Sequence, residues 1–402
     1  MTVEWTSTTL GAAGRWVSGG TPATSNKSYW GGEIPWMSSK SLTSFRIRDS
    51  DRRLSELGAT SGTKLVPKDT ILMVVRGMSL KSEFRMGITQ REVALSQDLK
   101  GLIPRSDLDP TFLAYALQSR SNDVLDMVDE AGHGTGRLQT DRLYALELLL
   151  PPRAEQESIA ATLGVLDDKI ESNRRAMDTL ATLVSTLFEQ VISSHEVVYT
   201  PLGEFTRAVN GRSYKSSELQ ESSTALVTLK SVDRNGGYKE SGLKPYTGPH
   251  KPEQEVRPGE VVVAQTDLTQ GAEVVGRGVR VPSSGKYDTL VASLDLAIVR
   301  PVAGMPVEYL HGLLSSETFH QHCRAHVTGT TVLHLAKDAM PTWRAPIVPP
   351  DVQERFAESV RPMLARMDAL SEESARLVAL RDALLPEILS GRIRVPVEGV
   401  VP

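Results

Sequence analysis

Apolar residues recur at alternating steps of four and three in two stretches of the chain. In the first, Ile159, Leu163, Leu166, Ile170, Asn173, Met177, Leu180, Val184, Leu187 and Val191 occupy the rhythm, and nine of the ten are apolar. In the second, Phe356, Val360, Met363, Met367, Leu370, Ser374, Leu377, Arg381, Leu384 and Ile388 keep it with eight of ten. A heptad sustained this long predicts a coiled-coil seam on each of two helices. Each would be roughly 55–60 Å long at ~1.5 Å per residue. Asp351 and Glu354 have capping-box spacing, Gly391 suits the residue after a helix end, and Pro362 and Pro386 are expected to bend the second helix. Seams of this length need partners, and the nearest partner of each is the other. A whole domain must fit between the end of the first helix and the start of the second, and a compact connection favours an antiparallel pair related by a pseudo-twofold axis.

The remaining chain follows a different pattern. Short β-rich runs (Thr70–Val75, Ala225–Leu229, Glu260–Ala264, Leu296–Val299) alternate with Gly, Ser and Asn turns. Short helical patterns lie at Asp109–Gln118 and Pro306–Leu314. The predicted class is α+β, and the pattern occurs twice. Leu10-Gly11 is answered by Leu202-Gly203, and Pro151-Pro152 by Pro349-Pro350. Val66-Pro67-Lys68-Asp69 is answered by Arg257-Pro258-Gly259-Glu260, Gln97-Asp98-Leu99 by Leu294-Asp295-Leu296, and Gly134-Thr135 by Gly329-Thr330. The period of roughly 195 residues is too long for a solenoid. It marks two copies of a domain, each followed by a long helix. The boundaries fall at 1–150, 151–196, 197–349 and 350–402.

Composition changes this picture little. The chain of 402 residues has room for such domains, and its single cysteine, Cys323, leaves no internal disulfide framework. No apolar stretch approaches a membrane span and Met1–Leu10 shows no signal pattern, so a cytoplasmic protein is expected. The acidity behind the net charge of −4 sits in the helical segments, while residues 1–150 and 197–350 are each +1. Near-neutral domains can still bind nucleic acid if their cations cluster on one face. No P-loop, zincin, nucleophile-elbow or Asn/Asp-Pro-Pro-Tyr/Phe methyltransferase motif occurs, which points to a non-catalytic chain.

Specific stretches resemble a known family. They are Ser18-Gly19-Gly20-Thr21-Pro22, Tyr29-Trp30-Gly31-Gly32-Glu33-Ile34-Pro35-Trp36 and Pro151-Pro152-Arg153-Ala154-Glu155-Gln156. The closing Leu384-Leu385-Pro386-Glu387-Ile388-Leu389-Ser390-Gly391-Arg392-Ile393 belongs with them. Together they resemble the specificity subunit of type I restriction-modification systems, from about Leu10 to Val395. The resemblance implies two target recognition domains, each reading one half of a bipartite site in double-stranded DNA. It implies conserved helices acting as a ruler, and assembly with two methyltransferase subunits that bind S-adenosylmethionine. Two restriction subunits using ATP and Mg would join where present; a modification-only assembly is the alternative. The chain departs from the family pattern at Asp351-Val352-Gln353-Glu354-Arg355, and its second domain lacks the Gly-Gly-Thr-Pro and Trp-Gly-Gly elements.

Side chains able to grip phosphate or read base edges supply the candidate contacts. In the first domain they are Ser38, Ser39, Lys40, Arg76, Lys81, Arg85, His133, Thr135, Arg137 and Gln139. In the second they are Arg212, Tyr214, Lys215, Lys230, Ser231, Gln265, Thr266, Arg277, Thr328, Thr330, Thr331 and His334. Any one of these can equally be a solvated surface group, and Trp30 and Trp36 can stack on bases or simply pack. His311, His320, His322, Cys323, His326 and His334 offer a competing reading, a metal-dependent enzyme, because His322 and His326 would share a helix face. With one cysteine and no second ligand pair, no metal site is expected.

Overall fold

The run Ile71–Val74 is apolar at every position because its strand is buried on both faces. A computed structural model, describing residues 5–131, 135–269, 271–302 and 304–396, places this strand inside a five-stranded sheet. The chain divides into two compact units, Met1–Lys169 with Leu377–Pro402, and Ile170–Arg376.

In the first unit Leu99–Pro104 lies between Gly14–Ser18 and Ile71–Val74, antiparallel to both, and Met86–Thr89 continues the sheet. A second sheet pairs Trp30–Met37 with Val93–Leu95 in parallel. A small third sheet sets Thr135–Leu138 between Val128–Ala131 and Arg76–Gly77. Thr6–Thr9 joins Glu147–Leu150 just before the long helix.

The second unit repeats the core of this plan, with four strands for five in the main sheet and three for four in the second. Leu296–Pro301 lies between Thr206–Asn210 and Val261–Ala264. Thr224–Val227 runs parallel to Thr289–Ala292, and Leu333–Leu335 lies between Val327–Thr328 and Thr266–Asp267. Val198–Pro201 joins Arg344–Ile347 before the second long helix. The fold is thus α+β built twice.

Structure corrects the register of one sequence echo. The residue that turns the chain into the central strand is Asp69 in the first unit (φ 65°) and Gly259 in the second (φ 89°). Asp69 donates its N–H to Thr89 and Gly259 its own to Val281. The prolines Pro67 and Pro258 are therefore one position out of step. What the copies share is a left-handed corner, which glycine adopts freely and aspartate tolerates. The Gly-Gly element missing from the second copy also has a counterpart. A Cβ on Gly19 would lie 2.2 Å from the Ser96 carbonyl oxygen, and one on Gly211 would lie 2.1 Å from that of Ser293.

The long helices are Arg153–Ser194 and Pro350–Leu389, continuous through Pro362 and Pro386. The Asp351–Glu354 capping box does not form. The helix already starts at Pro350, so Asp351 faces Arg355 at 2.7 Å and Glu354 faces Arg361. The buried Gln353 ties the entry instead, donating to the Val348 carbonyl at 2.8 Å. Gln156 does the same to Pro151 at 2.9 Å in the first copy. Gly391 follows the helix end with φ 75°, its N–H on the Ile388 carbonyl.

Within each unit the start of one helix packs against the end of the other, so the pairing is antiparallel. Ile159, Ala160 and Leu163 share the first unit's core with Leu385, Ile388 and Leu389. Val184 and Phe188 share the second unit's core with Val352, Phe356, Val360 and Leu364. The seam positions Leu166, Ile170, Met177, Leu180, Leu187, Met363, Met367, Leu377 and Leu384 are half-buried, and Leu370 is buried. The polar interruptions answer one another. Buried Asn173 donates to Ser374 and Glu373 at 3.3 and 3.0 Å, and Arg381 grips Asp167 at 2.7 Å.

Candidate nucleic-acid interface

The small three-stranded sheet gathers the first unit's candidates. Arg76 and Arg137 sit directly opposite each other on neighbouring strands, both exposed. Among the described residues neither guanidinium has a hydrogen-bond acceptor or ion-pair partner. Like charges in directly opposed positions disfavour pairing unless an anion comes between them. The Ser38–Lys40 turn lies beside this pair: the Ser39 side chain flanks Gly77, and Arg85 donates to the Ser39 carbonyl at 3.4 Å. Lys40 is exposed with no ionic partner among the described residues.

Other candidates are already engaged. Lys81 faces Glu130, Arg85 faces Glu83 at 2.8 Å, and Gln139 donates to Asp129 at 2.5 Å. Asp129 also accepts from Arg142 at 3.1 Å, on the rim of a 520 Å³ cleft lined by Glu130, Arg137 and Asp141. Thr135 lies at the start of its strand with a partner of its own. His133 lies outside the described residues. Trp36 is buried, meets Trp30 edge to face at 5.3 Å, and Arg52 stacks on Trp30 at 3.8 Å, so both rings pack.

In the second unit two candidates are withdrawn by burial. Ser231 is fully buried, and Thr266 is 8% exposed with its hydroxyl on Asp295 at 2.9 Å. Neither can reach a ligand, because the turn and strand that carry them face the core. Arg277 is committed to Glu317 at 3.1 Å. Tyr214 accepts from Lys244 at 3.3 Å, and the Nε of Arg212 is enclosed without a partner. Gln265 donates to Asn210 at 3.0 Å. The accessible candidates are Lys215, Lys230, Thr328, Thr330, Thr331 and His334. Thr328 and His334 are directly opposed on neighbouring strands, as Asp129 and Arg137 are in the first unit.

Hydropathy concealed one pair of residues. Met78 and Leu268 follow the equivalent edge strands and are 62% and 72% exposed. Asp267 shapes the second of these loops, accepting from the backbone of Thr269 and Val274, each at 2.7 Å. Burial alone would raise its carboxyl; these backbone bonds outweigh it and hold the pKa below the usual carboxylate range. Apolar residues after a strand read as core from sequence, and only the fold shows them at an exposed tip.

The His322 and His326 rings do meet, with centroids 4.2 Å apart, but the other histidines do not join them. His322 bonds the Ala339 carbonyl, His326 bonds the His322 carbonyl, and His320 is buried with its Nδ1 unpartnered. His311 lies on an earlier helix and His334 on the exposed sheet. Among the described residues no group of three or more metal-ligating side chains comes together. One ring nitrogen each of His322 and His326 is occupied by a backbone carbonyl.

A duplicated α+β domain with an exposed small sheet, closed by paired long helices, defines the class. Residues 2–180 match the family model of the Type I restriction modification DNA specificity domain. The comparisons support a specificity subunit of a type I restriction-modification system. The chain is 22% identical over 424 residues to the Type I restriction enzyme MjaIX specificity subunit of Methanocaldococcus jannaschii, covering 98% of this chain and 94% of that one. It is 29% identical over 167 residues to the EcoR124I/EcoR124II specificity subunit of Escherichia coli, a match spanning 41% of each. The S subunit of a type I system from M. genitalium has the same fold, with a TM-score of 0.54 at 16% identity over 96% of each chain. No helix among the described residues is long and apolar enough to cross a membrane.

Proposed function

We propose that this chain reads a bipartite site in double-stranded DNA and carries no catalytic centre of its own. Residues 1–150 and 197–349 are the two target recognition domains, and the helical segments 151–196 and 350–402 hold them. Two methyltransferase subunits with bound S-adenosylmethionine would modify the site. Restriction subunits using ATP and Mg would complete the assembly where present. The observation carrying this reading is that the same core strand pairings are built twice with different exposed side chains on the small sheet. A single DNA-reading framework used twice serves a site of two unlike halves.

The test is methylation mapping in cells expressing the chain with its methyltransferase subunit. Two short specific blocks separated by an unspecific gap are expected; one continuous block counts against the reading. Affinity for the site should also fall steeply as salt rises, because phosphate contacts release counterions. A scaffold that never touches DNA would show no salt-dependent affinity for it.

A further inference from the structure

Comparison of the two copies separates positions that keep their charge from positions that change it. The parallel strands align through Leu95 with Met37 and Ala292 with Val227. Counting three residues on places Lys40 and Lys230 at the same point of the following turn. Both are exposed, and neither has an ionic partner among the described residues. On the three-stranded sheet the pairings give Arg76 opposite Arg137 in the first unit and Thr266 opposite His334 in the second. The third strand contributes Asp129 and Thr328 at matching points. Here both arginines have been replaced, one by a buried threonine and one by an exposed histidine.

The phosphate backbone is the same in both half-sites, whereas the bases differ. A side chain that grips phosphate therefore has reason to stay cationic in both copies, and one that reads a base has reason to change. Resting on the DNA-reading function above, we propose that the small sheet is the base-reading element of each unit. Arg137, supported by Arg76, commits the first half-site to a guanine, while Lys40 and Lys230 hold the backbone. The guanidinium offers a planar fork matching the O6 and N7 acceptors of guanine in the major groove. The second unit, with His334 and Thr328 there, reads its half-site through an imidazole and a hydroxyl.

The test uses the chain assembled with its methyltransferase subunits and a panel of DNA sites carrying every single base-pair change in each block. For Arg137→Gln, discrimination at one guanine of a single block should fall by about 5- to 100-fold, with the other block unchanged. Arg137→Lys keeps the charge but loses the fork, and should relax the same position. Lys40→Ala should weaken all sites alike and reduce the salt slope by about one. Both arginines are solvent-facing, and an unchanged Tm of each variant confirms folding. Uniform weakening by Arg137→Gln with every base preference intact overturns the proposal, as does a wild-type site with no guanine in the affected block. In either case two mapped blocks leave the DNA-reading function standing. Absence of two blocks overturns that function instead.

Discussion

Among single residues, burial decides what a polar side chain can do. Ser231 and Lys230 are neighbours, yet one is sealed in the core and the other is exposed. Alternation along a turn cannot be assigned from residue type, so both were equal candidates in sequence. His311 shows the same principle in its titration. Burial first, and then the nearby Arg280, bring its pKa down to about 4. An unfolded histidine titrates near ~6.5, so between these values the unfolded chain binds more protons than the folded one. Stability is therefore complete above about pH 6.5 and declines as pH falls toward 4. We expect His311→Leu to remove about 1–3 kcal/mol of this acid sensitivity. Urea midpoints at pH 7 and pH 4.5 measure it, and equal losses in wild type and variant would refute the assignment.

At the scale of the element, the long helices were the most legible part of the chain, because a seam writes its period directly into the sequence. Their polar interruptions were not legible: Arg381 breaks the heptad where an apolar residue is expected. In the fold it meets Asp167, whose other oxygen accepts from Tyr115 at 2.5 Å. Burial alone would push the arginine's pKa down, but the bonds to Asp167 and Asp382 outweigh it and raise it. Removing one member of such a buried pair strands the other charge. Arg381→Leu should cost about 3–5 kcal/mol, and Asp167→Leu added to it should recover much of the loss. Chemical denaturation of both single variants and the double variant decides this. Full additivity of the two losses would mean that the residues act independently.

For the whole molecule, the proposed reader depends on helix length. One helical turn is ~5.4 Å and one base-pair step ~3.4 Å. Inserting a turn into both long helices, at matched points of the seam, should alter the unspecific gap by roughly one to two base pairs. Methylation mapping reads this directly, and an unchanged gap would end the ruler hypothesis. The sequence by itself determined that there are two domains, that two heptad helices serve them, and which family they resemble. Those are properties of period and order, and they survive without knowledge of any long-range contact. Only the tertiary structure decided that Gly211 takes the place of Gly19, that Asp69 matches Gly259, and that Arg137 stands where His334 does. These are equivalences of backbone position between copies whose residue types have diverged. Strand pairing brings together residues such as Arg76 and Arg137, some sixty positions apart, and nothing local in the chain encodes that meeting.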